Sequence, residues 1–204
     1  MAITDGIGIG CSDLQAVGGT RHILIREWKV DDLVAVAGAS NTVFRIQEAG
    51  GADANWGVYE SKIESSSLTF TASNEGKDTT TFECNLTFNL PKLDRLKAIR
   101  LKELEGKCLM IIVIDSNNDA NPYANNWIMG ISDVYANAYT NYRNQTYARL
   151  ASIEGGTGAA FSDESGQTVT LTCTQYVSPM TYSAASGQAG IVIDPVNGLT
   201  ATTD

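Results

Sequence analysis

The sequence predicts a mainly β chain carrying one long helix. Three observations lead there. The stretch TFECNLTFNLP (81–91) alternates strictly between apolar and polar residues. SLTFTAS (67–73) and QTVTLTCTQYV (167–177) repeat that signature. Only PKLDRLKAIRLKELEG (91–106) spaces its apolar residues as a helix does. Successive side chains of a strand face opposite sides, so strict alternation marks a strand with one dry and one wet face.

In chain order, residues 1–20 are Gly-rich and weakly patterned and read as an arm. RHILIREWKV (21–30) alternates with apolar residues on both faces and reads as a strand either buried on both sides or set at an interface. LVAVAGA is a short apolar segment, and TVFRIQEA (42–49) a short strand. GGADANWG (50–57) reads as a turn region holding an aromatic, Trp56. VYESKIESSSLTFTAS (58–73) carries a strand or strand pair, followed by the turn NEGKD (74–78). With 81–90 it predicts a long β-hairpin, because two alternating strands are joined by a short segment containing Asn and Gly.

Pro91 is expected to break the sheet and open the helix at its first position. Gly106 is placed to stop that helix. Leu93, Leu96, Ile99, Leu101 and Leu104 make a broad apolar arc, which predicts a helix covering one face of a sheet. The apolar run in KCLMIIVIDSNN (107–118) predicts a central strand, DSNNDANPYANN (115–126) a polar loop, and NWIMGISDVYANAY (126–139) a strand bent at Gly130. YRNQTYARLASIEGG has mixed signals. From Pro179 the chain is rich in Ser, Ala and Gly, with one further strand at GIVID (190–194). The organisation expected is one domain over 1–204, with arms at about 1–20 and about 179–204.

The 204 residues carry 23 acidic and 14 basic side chains, a net charge of −9. That balance excludes a protein that wraps phosphates with its own surface. Beyond Lys107 only Arg143 and Arg149 are basic, so the C-terminal half is the more negative. Cys11, Cys84, Cys108 and Cys173 have no zinc-ligand spacing, and all but Cys11 sit in apolar strand patterns. They read as free thiols in a reducing compartment. No basic segment leads an apolar run at the N-terminus, so no signal peptide is expected. CLMIIVI (108–114) is too short to span a bilayer, and no membrane partner is expected.

The inventory for catalysis is thin. His22 is the one histidine, no GxSxG elbow accompanies it, and a Cys–His pair would have to use Cys11. DSNNDAN (115–121) lacks the central Gly and closing Glu of a calcium loop. GIGIG is followed by no phosphate-binding Lys. No enzyme activity, metal or cofactor is expected. The sequons at Asn85 and Asn144 are discounted, the first because it lies on a strand. Trp28, Trp56 and Trp127 are expected at a subunit interface, with a sugar platform as the competing use of such aromatics.

A Gly-rich N-terminal arm, the hairpin 58–90, a helix at 91–105 followed at once by the apolar strand 108–114, the late strand 167–177 and a small-residue C-terminus occur together. In this pattern the chain resembles the tail tube (major tail) proteins of tailed bacteriophages. The resemblance covers most of the chain at the level of pattern. It implies a β-sandwich or partly rolled barrel with one flanking α-helix and a long β-hairpin. It implies hexameric rings that stack into a tube, with the inner strands of six subunits joined into one polar, often acidic barrel. On it, Thr69, Thr71, Thr81, Glu83, Asn85, Thr87, Thr170 and Thr172 line the lumen. DNA passes without specific binding, and the partners are further copies plus tape-measure, terminator and sheath proteins. The place is the virion tail, assembled in the host cytoplasm. Segments 48–62 and 115–126 are the candidates for contact between rings. Two other readings stand beside it: a capsid decoration or tail-terminator protein, and a glycan-binding β-sandwich module.

Overall fold

Thirteen strands and one helix make up the described part of a computed structural model, which covers residues 18–29, 33–37, 42–48, 51–61, 64–74, 80–116, 126–131, 147–157, 165–175, 178–183, 190–194 and 200–203. The strands are β1 (Thr20–Glu27), β2 (Leu33–Ala37), β3 (Thr42–Gln47), β4 (Ala54–Tyr59), β5 (Ser66–Ser73), β6 (Thr81–Pro91), β7 (Leu109–Asp115), β8 (Asn126–Met129), β9 (Arg149–Gly156), β10 (Gly166–Gln175), β11 (Met180–Tyr182), β12 (Ile191–Ile193) and β13 (Thr200–Thr203). The helix α1 spans Arg95–Lys102. Sheet A runs β12-β13-β4-β1-β7-β8-β11-β3-β2 and curls into a half-barrel. Sheet B runs β5-β6-β10-β9 and packs on one face of sheet A. The mainly β class with one helix is therefore observed. No described helix is long and apolar enough to cross a membrane.

Two cores share one strand. Leu109–Ile114 on β7 are buried at every position. Leu109, Ile111 and Val113 join Ile23 and Ile25 against Cys84, Leu86 and Phe88 of β6 and Val169, Leu171 and Cys173 of β10. Met110, Ile112 and Ile114 face the inside of the half-barrel with Leu24, Val43, Ile46, Trp56, Val58 and Tyr182. A strand covered on both faces must be apolar throughout, which explains the unbroken run. Burying each such side chain contributes about 1.5–3 kcal/mol.

The half-barrel is drawn together where β3 turns back to β4. Gln47 bridges Asp53 in antiparallel fashion, and the Glu48 N–H donates to the Ala52 carbonyl at 2.8 Å. A buried side-chain relay spans the same gap. Trp56 Nε1 donates to Thr203 Oγ1 at 3.0 Å, and that hydroxyl donates to the Ile46 carbonyl at 3.2 Å. Arg26 lies over the Trp56 ring at 5.6 Å and pairs with Glu48 at 3.7 Å. These contacts tie β13, β4 and β3 into one wall.

Several expectations are corrected. The segment 50–57 is not merely a turn region. It includes the start of β4, with Ala54 and Trp56 in the half-barrel core. Residues 58–73 divide between the sheets, β4 in A and β5 in B, so the hairpin proper is β5–β6. Pro91 does not open the helix. It is the last residue of β6, paired with Gly166. The helix starts at Arg95 behind Asp94, whose carboxylate accepts from the Leu96 N–H at 3.3 Å. Its broad apolar arc is not buried: Leu101 packs into the core with Leu104 beyond the helix, while Leu96 is 59% and Ile99 46% exposed. The segment expected as a C-terminal arm supplies β11, β12 and β13 to sheet A. The N-terminal arm through residue 17, most of the polar loop and residues 132–139 lie outside the described residues.

Gly130 has φ +85°, and a Cβ there would sit 2.5 Å from the Leu109 carbonyl and 2.8 Å from the Ala148 nitrogen. Those two groups bond to each other at 3.0 Å. Gly130→Ala is expected to cost more than about 3 kcal/mol, combining left-handed strain with a disrupted backbone bridge. Thr203→Val removes the middle of the Trp56–Thr203–Ile46 relay and is expected to cost about 1–3 kcal/mol, with Thr203→Ser close to the native protein. Denaturant titration of purified variants measures both.

Candidate functional site

The outward face of sheet B collects the eight residues singled out for a polar channel wall. Strict alternation on β6 buries Cys84, Leu86, Phe88 and Leu90 and turns Glu83, Asn85, Thr87 and Asn89 outward. Register then aligns the neighbours in rows, because directly opposed residues share a face. One row reads Ser67, Thr87, Thr170, Ser152 across β5, β6, β10 and β9. The next reads Thr69, Asn85, Thr172, Arg149. Thr71, Glu83 and Thr174 form a third, and Ser73 opposes Thr81 beyond it. Asn89, Thr168 and Glu154 close the other end. All eight expected residues thus lie on one face, whose use as a lumen is a separate matter.

The face is polar without being strongly charged. Its described charges are Glu83, Glu154 and Arg149. The hydroxyls are partly occupied within the sheet. Thr69 Oγ1 donates to the Asn85 carbonyl at 3.3 Å, Thr81 Oγ1 to the Ser73 carbonyl at 3.3 Å, and Thr87 Oγ1 to Asn85 Oδ1 at 3.4 Å. A threonine so engaged presents its methyl group and a spare lone pair. Such a surface is wettable but offers few donors to an anionic polymer. At one end it meets a cavity of about 560 Å³ lined by Asn89, Pro91, Glu154, Ser165 and glycines 155, 156 and 166.

Both edges of sheet B are long. β5 and β9 are eight residues each, and no described strand pairs with their outer sides. β5, SSLTFTAS, has no charge and no proline. β9 carries a bulge: Leu150 opposes Leu171 while Ser152 opposes Thr170, which leaves Ala151 as the extra residue. That bulge hid β9 from a reading by alternation. Leu150 and Ile153 are three apart in sequence yet both pack inward, opposite Leu171 and Val169. The hydroxyl and charged positions of β9 were missed for the same reason.

The three tryptophans do not form one platform. Trp56 is 2% exposed inside the half-barrel, where it has no surface to offer a partner. Trp28 is half-buried and packs on Tyr147 at 5.7 Å. Trp127 lies on the opposite side of sheet A, against Phe70 at 5.7 Å. It lines a cavity of about 320 Å³ between the sheets with Leu68, Phe70, Val113 and Asp115.

His22, the one histidine, faces Glu60 at 3.7 Å. Burial lowers its pKa, and the Glu60 carboxylate opposes that shift. Its paper partner Cys11 lies outside the described residues. Among the described residues no group of three or more His, Cys, Asp or Glu side chains could hold a metal ion. No protein-family model, curated protein or solved structure matches the chain.

Asn85 sits at the centre of the polar face and is exposed. Asn85→Leu is therefore expected to change monomer stability by no more than about 0.5 kcal/mol, as for other surface positions. Urea unfolding tests this, and a variant that fails to fold would show that the face is packed rather than open.

Proposed function

We propose that the chain is a structural virion protein whose copies assemble into stacked hexameric rings forming a phage tail tube. Sheet B of each copy supplies a segment of the channel wall. The observation that carries the reading is a sheet dry on one face, uniformly polar on the other, and paired by no described strand along its two long edges. A closed barrel satisfies such edges by pairing them with each other.

The strand count favours closure. β5, β6, β10 and β9 are antiparallel throughout, so β5 and β9 point in opposite directions. Copies related by rotation about the channel axis bring the β9 edge of one beside the β5 edge of the next. That junction is again antiparallel, so the barrel continues without a change of pattern. The contact is head-to-tail, the type that generates rings when the rotation closes. Each backbone hydrogen bond across the junction contributes about 0.5–1.5 kcal/mol net. The bulge in β9 adds local twist at the seam.

In this arrangement Thr69, Thr71, Thr81, Glu83, Asn85, Thr87, Thr170 and Thr172 face water in the channel. A wall of hydroxyls and amides, whose described charges are two carboxylates and one guanidinium per copy, lets DNA slide because it is net acidic with a single basic group. The partners are further copies, the tape-measure and terminator proteins, and a sheath protein if the tail contracts. The role is architectural and needs no catalysis. A capsid decoration or tail-terminator protein would use the same sheet edges, but a decoration protein has no need of a continuous polar wall. A glycan-binding module loses support from the burial of Trp56 and the separation of Trp127.

Concentrated purified protein is expected to form rings or tubes in negative-stain micrographs, with amides of β5 and β9 gaining hydrogen-exchange protection over the monomer. Assembly should strengthen with added salt. The net charge of −9 per copy repels neighbours, and salt shortens that repulsion to about 8 Å at physiological ionic strength. A particle that stays monomeric at every concentration and salt level would overturn the proposal. So would assemblies whose new protection avoids β5 and β9.

A further inference from the structure

Cys84 on β6 and Cys173 on β10 are direct cross-strand partners. Both side chains point into the core between the sheets, at 1% and 7% exposure, and both are free thiols. Cys84 Sγ donates to the Phe82 carbonyl at 3.9 Å, and no disulfide joins the two cysteines. Directly opposed residues of an antiparallel pair have Cα atoms about 4.5 or 5.5 Å apart, according to whether the pair is hydrogen-bonded. Either separation falls in the range of about 4.4–6.8 Å that a disulfide spans without moving the backbone. Cys108, by contrast, is half-buried just ahead of β7.

We infer that Cys84 and Cys173 are an oxidisable pair that closes into a disulfide joining the two central strands of sheet B. The inference rests on strand register and is independent of the assembly reading. The oxidant is a small-molecule disulfide such as oxidised glutathione. One protein thiolate attacks it, forming a mixed disulfide and releasing one small thiolate. The second protein thiolate displaces the other. Two protein thiols become one S–S bond, and their two protons end, by way of solvent, on the two small thiolates released, so the small disulfide leaves as two thiols.

The Cys173 thiol and burial push the Cys84 thiol well above its ordinary range. Thiolate is therefore scarce in the folded core, and small reagents have no open path to it. The pair stays reduced while the protein is folded in a reducing milieu. It closes when oxidant is present during folding or opening of sheet B. Once closed, the bond encloses 85–172, a span that includes α1, β7, β8 and β9. By linkage, the factor by which folding favours the bond equals the factor by which the bond favours folding.

The test uses the full chain with Cys11→Ser and Cys108→Ser, refolded from denaturant in glutathione buffers of graded ratio, acid-quenched and mapped by peptide mass spectrometry. The expected product is the 84–173 disulfide, with an equilibrium constant about tenfold or more above that measured in denaturant, and the oxidised protein unfolds at higher denaturant. An equilibrium constant no greater than in denaturant, or glutathione left on either cysteine as the main product, overturns the inference. The unmodified chain, mapped in the same way, serves if the double variant fails to fold. Predominance of the 84–173 linkage there supports the pairing, and predominance of a linkage through Cys11 or Cys108 overturns it.

Discussion

Leu109–Ile114 have protein on both sides, and the rest of the structure follows from that constraint. A strand apolar on two faces needs two separate covers. One is sheet B, laid over Leu109, Ile111 and Val113. The other is the remainder of sheet A, which curls round Met110, Ile112 and Ile114 until β3 and β4 come together. β1 is bound to share the arrangement because it pairs with β7 along its whole length. Its residues alternate between the same two cores, Ile23 and Ile25 to one and Leu24 to the other. Arg26 falls on the half-barrel side, where the Trp56 ring and Glu48 receive its charge. The charged tip is held by a ring face and a carboxylate, which offsets the cost of removing it from water.

Once one face of sheet B is spent on that core, the composition of its other face is free. A one-residue slip in register would turn Leu86 and Phe88 outward and Asn85 and Thr87 inward, so the hydrophobic set fixes the pairing. The polar rows are therefore as well ordered as the core beneath them. Thr is the natural residue for them, since its β-branch favours an extended backbone while its hydroxyl keeps the surface wet.

What could be read from sequence was what depends on neighbours two residues away. β5, β6 and β10 show their period directly, and the eight polar residues named from that period share one face. β7 was evident as an apolar run. β4 was not, because the alternation of Ala54, Trp56 and Val58 follows a Gly-rich turn and is interrupted by Gly57. β12 was legible as GIVID, but β11 and β13 are only three or four residues long, and their partners β8, β3 and β4 are remote in sequence. Their existence is a tertiary fact, supplied by the Thr203 relay and by the ladder to β4. The helix misled for a different reason. Its apolar arc suggests a buried face, whereas burial comes from Leu101 and the Leu104 that follows, leaving Leu96 and Ile99 in the open.

The two sheets manage their edges in opposite ways, and this contrast bears most on the question of assembly. Sheet A ends in β12, three residues long, and β2, five residues long. Short edges offer few backbone groups to a stranger and are a common defence against unwanted pairing. Sheet B ends in two strands of eight residues, one of them free of charge, proline and bulge. An edge of that kind is normally covered, charged or broken, since otherwise it templates aggregation. Among the described residues, the short edges belong to sheet A and the long uncovered ones to sheet B. On the proposed assembly, pairing β9 with β5 of a neighbour would remove both liabilities in one contact, with the dry face against its own core and the polar face turned toward water.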